Sequence, residues 1–309
     1  MPPAHGAMAP LSAATETRST ARAWAAALLG VLIAASYPAV TRVAVTRSLT
    51  PQDLLVLRFG ISGLIFLPYL LRRASRVPSS VWRASVPLSM LQGWGAAACV
   101  LFGLQYTTAA RASALFQGSL PVWVAVLGFV ALGLRPRRTQ MVGIAVIAIG
   151  TAMLVSAPTA APSNASQHWL GDALLLCAPL LASGYLLYVQ RMRLNPLLGV
   201  ALVSVISALI VLPWSIWNGH STMASAGMGE IVWQVLFQGV LIGCVGMLCL
   251  HYAVLGLGSQ AVGSVLALVP VLGLAFSVLI AHDAITPLEA VSAALISAGV
   301  WWATRAARA

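Results

Sequence analysis

"SLPVW" (residues 119–123) and "LVPVL" (residues 268–272) each put a proline in the middle of a long apolar stretch. A proline inside a helix removes a backbone donor and crowds the carbonyl four residues back, so it is disfavoured there. One such residue needs a reason; two in similar settings, 149 residues apart, need a common one. Other pairs recur at nearly the same shift. "LQG" at 91–93 returns as "FQG" at 237–239, "LQY" at 104–106 as "LHY" at 250–252, and "LP" at 67–68 as "LP" at 212–213. Pro51 matches Pro196, and Gly150 matches Gly299. The chain therefore reads as one unit written twice, 24–156 and 169–304, with Pro121 and Pro270 as the same proline in both copies.

Composition says what kind of unit this is. Of the 309 residues, 60% are hydrophobic and 7% charged, with a mean hydropathy of +0.93. Soluble domains carry about 25% charged residues, so a water-facing surface cannot be built from this chain. From Ile231 to Ala281 there is no Asp, Glu, Lys or Arg. Crossing ~30 Å of hydrocarbon takes about 20 apolar residues, and the bilayer is accordingly the first partner expected. The net charge of +11 comes from Arg alone and is read as a membrane-sidedness signal, not as a nucleic-acid surface. Residues 1–22 are small, polar and rich in Pro, Ala and Thr, and read as a disordered cytoplasmic tail. Cys99, Cys177, Cys244 and Cys249 fall inside apolar segments and read as small hydrophobes, with no metal or disulfide spacing.

Breaks at charged, Gly and Pro clusters predict an all-α integral membrane fold. Its ten transmembrane helices lie near 24–45, 51–71, 84–106, 110–133, 139–156, 169–190, 195–217, 229–252, 259–281 and 286–304. Arginine concentrates in cytoplasmic segments. One side collects Arg18 and Arg22, Arg72 to Arg83, Arg135 to Arg138, Arg191 and Arg193, and Arg305 and Arg308. The other has only Arg42, Arg47 and Arg111. Both termini are thus expected in the cytoplasm. Five spans per copy force the second copy upside down, which predicts two inverted five-helix repeats. Loop charge agrees: the loop after the second helix has four Arg, and its partner after the seventh has His220 and Glu230. Inverted repeats are characteristic of secondary transporters with a site near the bilayer midplane.

The repeat resembles the EamA-type unit of the drug/metabolite transporter superfamily, ten-helix subgroup. The residues that carry the resemblance are "YPAVTR" (37–42), "TPQDLLVLRF" (50–59), "YTTAARAS" (106–113), "GIAVIAIG" (143–150) and "SAALISAG" (292–299). Pro38 departs from the unbroken first helix usual in that family. The resemblance implies a carrier in a bacterial inner (plasma) membrane that exports small metabolites such as amino acids or toxic small molecules. It also implies that the fifth and tenth helices are scaffold while the first, third, fourth, sixth, eighth and ninth line the pathway.

Polar groups inside hydrocarbon are costly, so they are the candidate substrate-pathway residues. Gln92 and Gln238 occupy matched positions in the two copies and are expected to face one another across a cavity. Gln117 lies four residues before Pro121, whose ring would free its carbonyl. Arg58, about two turns into the second helix, could hold a substrate carboxylate, or could snorkel. His251 is the one titratable group within a span able to change charge near neutral pH. Tyr37, Trp94, Tyr185 and Trp233 could stack on cargo or simply pack. Pro121 and Pro270 are expected as helix kinks. With no Asp or Glu in the middle of a span, the sequence points to neutral or zwitterionic cargo. No metal or cofactor is expected. An integral-membrane enzyme would need clustered catalytic groups, which the scattered acids and histidines do not supply. A non-transporting receptor or scaffold would need no polar cavity. Monomer and homodimer both stay open.

Overall fold

The computed structural model describes residues 11–133, 136–157, 167–192 and 194–305. Among these every regular element is helical: α1 (Leu11–Arg47), α2 (Pro51–Arg73), α3 (Ser79–Gly103), α4 (Ala109–Leu132), α5 (Arg138–Ser156), α6 (His168–Met192), α7 (Pro196–Asn218), α8 (Met228–Leu257), α9 (Ala261–Ala281) and α10 (Pro287–Arg305). Nine of these are long and apolar enough to cross a membrane; α10, with Glu289, Ser292, Ser297 and Arg305 in its 19 residues, is the exception. Large apolar side chains such as Leu64, Val130, Ile216, Leu255 and Leu279 are exposed around the bundle, as lipid contact requires. α1 begins at Leu11, so residues 11–22, expected as tail, extend the first helix instead. The prolines of the N-terminal stretch all precede Leu11, so no proline interrupts the helix over residues 11–22. Residues 1–10 and three of the arginines counted for sidedness, Arg135, Arg193 and Arg308, lie outside the described residues.

Local chemistry sets where helices start. Thr50 and Asp53 form a reciprocal capping box at α2: the threonine hydroxyl accepts from the Asp53 amide at 3.1 Å and the carboxylate accepts from the Thr50 amide at 3.0 Å. Thr286 and Glu289 repeat the arrangement at α10, with distances of 3.2 and 2.9 Å. In "TPQD" and "TPLE" the proline follows the cap, where its missing N–H costs nothing. Asn195 caps α7 with Pro196 behind it, and Thr108 caps α4.

The helices pair in a pattern that repeats itself. α1 lies against α8 and α9, and α6 against α3 and α4; α2 contacts α8 as α7 contacts α3. Further contacts join α2 to α7, α4 to α9 and α5 to α10. Replacing every helix by the one five places away maps these pairs onto one another, whereas α4 also packs against α10 with no comparable contact between α9 and α5. The α5–α10 contact is the most extensive, and small residues create it: Gly143, Gly150, Ser292 and Gly299 are all buried between these helices. Backbones can then approach closely, which is the main source of helix association when no water is present to drive it.

The two prolines differ from one another. Pro121 sits within α4, which stays helical through it. In α9 the helix is interrupted at Ala267–Leu268 and resumes at Val269, so Pro270 stands in a first turn, where proline fits without strain. A second interruption was not foreseen. α3 breaks at Gly93, whose φ of −95° and ψ of −119° leave the helical region, and a β-carbon there would lie 2.5 Å from the Ser89 carbonyl and 2.9 Å from Val203. At the matching place in the second half, α8 widens into a π-helix over Val235–Gly246. "LQG" and "FQG" thus mark the same irregular point in each half, by different means.

The α5–α10 contact yields a prediction. A β-carbon at Gly299 would sit 2.8 Å from Ile147 Cγ1 and 2.9 Å from the Gly143 carbonyl. Gly299→Leu is expected to lower the thermal unfolding temperature of detergent-purified protein, overpacking costing about 1–3 kcal/mol. Gly229→Leu, at a position with nothing within 4 Å, is expected to leave it unchanged.

Candidate functional site

Two polar assemblies lie inside the bundle, one at its end and one at mid-depth. The first gathers the carboxylates. Arg111, in the first turn of α4 and fully buried, holds Asp172 of α6 in a two-point contact through Nη2 and through Nε, the latter at 3.3 Å. Its Nη1 donates to the Ala157 carbonyl at 3.1 Å and lies 3.8 Å from Glu289 of α10. Arg42, near the end of α1, donates to the Leu104 carbonyl and sits 3.9 Å from Asp283. Asp283 also accepts from the Ala109 amide at 2.8 Å and from the Ser277 hydroxyl at 2.6 Å. Asp53 accepts from the Ser221 hydroxyl at 2.6 Å and from the Thr222 amide and hydroxyl at 3.0 and 2.9 Å. The contacts of Arg111 with Asp172 and Glu289, of Asp283 with Arg42 and Ala109, and of Asp53 with Ser221 and Thr222 join residues 24–156 to residues 169–304, and all lie at one end, where α1, α3, α5, α7 and α9 finish and the even-numbered helices begin. At the opposite end Arg72, Arg73, Arg76, Arg83, Arg137, Arg138, Arg191 and Arg305 are exposed.

The second assembly is a cavity of about 330 Å³. That is near the lower limit of about 300–1,000 Å³ for small-molecule sites. Its walls come from α1, α2, α3, α4, α6, α8 and α9, and none of its lining residues belongs to α5, α7 or α10. Tyr37, Arg58, Gln92, Gln117, Tyr185 and His251 all line it. Around them are apolar groups, among them Ile33, Val100, Phe116, Ile242, Met247 and Leu266. Arg58 reaches in from α2 and donates from Nη1 to the Tyr37 hydroxyl at 3.1 Å. Its guanidinium carbon stands 5.2 Å from the Tyr37 ring centre and 5.5 Å from that of Phe59. His251 turns Nδ1 to the Met247 carbonyl at 2.8 Å, leaving Nε2 as its remaining polar group. The side-chain carbonyl of Gln92 is buried and has no hydrogen-bond partner.

Three expected residues lie elsewhere. Gln238 is fully buried and donates to the Thr41 hydroxyl at 2.9 Å, so it joins α8 to α1 and does not face Gln92. The π-helical stretch around it is the reason: its wider turn moves side chains off the phase that an α-helix would give. Trp94 packs on the α2 cluster of Leu54, Leu55 and Phe59. It stands two residues from Gln92, and residues so spaced do not share a helix face. Trp233 is half exposed on the outside of the bundle, stacked on Phe237 with ring centres 5.7 Å apart. Sequence reasoning also missed the Arg111–Asp172–Glu289 cluster. The available signal was an arginine three residues beyond a threonine cap, in a connection too short to lift it out of the bundle.

A helical membrane bundle of two like halves around a shared, mainly apolar cavity with a few polar groups in its wall is the class of protein these features define. The EamA-like transporter family model matches the chain twice, over residues 22–156 and 169–305, and the chain belongs to that family. A comparison with curated proteins found no match. Among solved structures, a chain described only as "Crystal structure of protein" superposes with a TM-score of 0.61 at 20% identity, over 94% of this chain and 99% of that one. At that identity the similarity concerns the fold.

The contrast between the two matched glutamines can be measured. In a background without the four native cysteines, Gln92→Cys is expected to react with a small maleimide in detergent-purified protein. Gln238→Cys is expected to stay protected until the protein is unfolded.

Proposed function

We propose that the chain is a secondary carrier of small organic solutes that works by alternating access between two inverted five-helix repeats, α10 being the tenth span. The single observation that carries this reading is the cavity: helices of both halves wall it, while the ion pairs Arg42–Asp283, Arg111–Asp172 and Arg111–Glu289 that join the halves lie to one side of it. Such ties form a closed end. Their buried partners make them selective, because breaking one leaves an unpaired charge in hydrocarbon, at about 3–5 kcal/mol. Opening therefore has to replace several contacts together, which suits a two-state rocking of one half against the other.

The exposed arginines at the far end support a cytoplasmic location for that end and for both termini. The closed end then faces outward, and this conformation takes up cargo from the cytoplasm. His251, Val254 and Val262, near the ends of α8 and α9 that lie on the bundle's arginine-rich side, line the side of the cavity from which cargo would enter. Loading from inside fits export across a plasma membrane. Pro121 supports a moving part: it is embedded in α4 one turn after Gln117, at the cavity wall.

Counterflow in proteoliposomes tests the reading, with a panel of labelled amino acids, monosaccharides and organic acids. At least one is expected to accumulate faster than in protein-free vesicles and to saturate. Leu120→Trp, which fills the cavity from α4, is expected to abolish that uptake in protein of normal thermal stability. Uptake of the whole panel at the protein-free rate, or an unimpaired Leu120→Trp, would contradict it.

A further inference from the structure

The cavity holds a cation with nothing to balance it. Arg58 is among its lining residues, and no Asp or Glu is. Among the described residues no carboxylate lies within 4.0 Å of the Arg58 guanidinium. The nearest acid in sequence, Asp53, is held by Thr50, Ser221 and Thr222. Asp172, Asp283 and Glu289 are committed to Arg111, Arg42 and the closed end, and Glu230 accepts from Gln234 at 3.0 Å. A scarce set of carboxylates is thus spent on structure, and the one arginine exposed to the cavity is left with a phenol. Arg58 Nε is buried without a hydrogen-bond partner.

We infer that the occupant of this cavity is a small organic monoanion, a carboxylate attached to an apolar or aromatic body and lacking an ammonium group. The inference rests on the carrier reading for the site and names its substrate class. A guanidinium beside a phenol is a donor set for a carboxylate: Arg58 supplies N–H groups, and Tyr37, whose oxygen already accepts from Arg58, has its own O–H proton to give. Binding an anion there makes the buried site neutral. A zwitterion would restore the imbalance, because its ammonium adds a positive charge where only neutral acceptors such as Gln92 are available. Uncompensated charge inside hydrocarbon is the costly case. The side-chain carbonyl of Gln92 accepts a hydrogen bond from a hydroxyl without that penalty. The wall around these groups, with Phe116, Val100 and Ile242, fits the apolar body.

Three probes with one carbon skeleton separate the alternatives: mandelate (anion), phenylglycine (zwitterion) and mandelamide (neutral). Binding to the full chain in detergent is measured by calorimetry at near-neutral pH. Mandelate is expected to bind more tightly than the other two by about tenfold to a hundredfold, the scale of a charge-assisted hydrogen bond. Arg58→Gln is expected to level the three, and Arg58→Lys to keep the preference for mandelate. A merely structural arginine would weaken all three alike. The wild-type ranking needs no variant to fold. Phenylglycine or mandelamide binding as tightly as mandelate overturns the inference, as does a wild type that binds none of the probes. Counterflow of the same probes isolates the underlying reading. Mandelate preference in binding without counterflow upholds the anion site and removes the carrier; counterflow of phenylglycine with mandelate excluded keeps the carrier and overturns the anion site.

Discussion

The fold depends on how few carboxylates it has and where they go. The chain contains six acidic residues. Four of them, Asp53, Asp172, Asp283 and Glu289, are buried or nearly so, each bonded to groups of the other half of the molecule. Arg111, Asp53, Asp172 and Glu289 are closed off from solvent, so the halves are joined at that end by several buried contacts. Two of the acids serve twice. Asp53 and Glu289 complete the capping boxes that start α2 and α10 and also tie those helix starts to the opposite half. Local structure and assembly are thus written with the same residues.

This arrangement frees the interior for another use. With the acids committed to one end, the mid-depth cavity is lined by apolar groups, neutral amides, phenols, one histidine and one arginine. The scaffold helices α5 and α10 stay out of it, joined along Gly143, Gly150, Ser292 and Gly299. α3 and α8, which carry the matched "QG" motifs, are both irregular there, one broken and one π-helical. The symmetry that generated the two halves is consequently imperfect where the cavity lies. Gln92 looks into it while its counterpart Gln238 is bonded to Thr41.

Much of this was legible in the sequence because hydrocarbon imposes simple rules. Span length and the absence of charge located the helices to within about five residues at either end, except for the start of α1, and matched motifs separated by 145–149 positions located the halves. Tyr37, Arg58, Gln92, Gln117, Tyr185 and His251 could be named as pathway candidates because polar groups in a span need a reason. What could not be read was phase and partnership. Trp94 and Gln238 depended on helix irregularities that no proline announces. The pairing of Arg111 with Asp172 spans 61 residues and arises only when α4 meets α6. The expectation of neutral or zwitterionic cargo came from the missing mid-span acids; the position of Arg58 in the cavity without one of them turns the same absence toward an anion.

The account stands on the two halves being oppositely oriented in the bilayer, and sidedness at equivalent loops tests it most directly. Ser79, the first residue of α3, and Gly229, the second residue of α8, stand at corresponding helix starts of the two repeats, and both are exposed. Single cysteines at these positions, in a background lacking the native four, can be labelled with a membrane-impermeant maleimide in intact cells and in inverted vesicles. Opposite orientation predicts that Ser79→Cys reacts only in inverted vesicles and Gly229→Cys only in intact cells. Labelling of both from the same side would contradict the account.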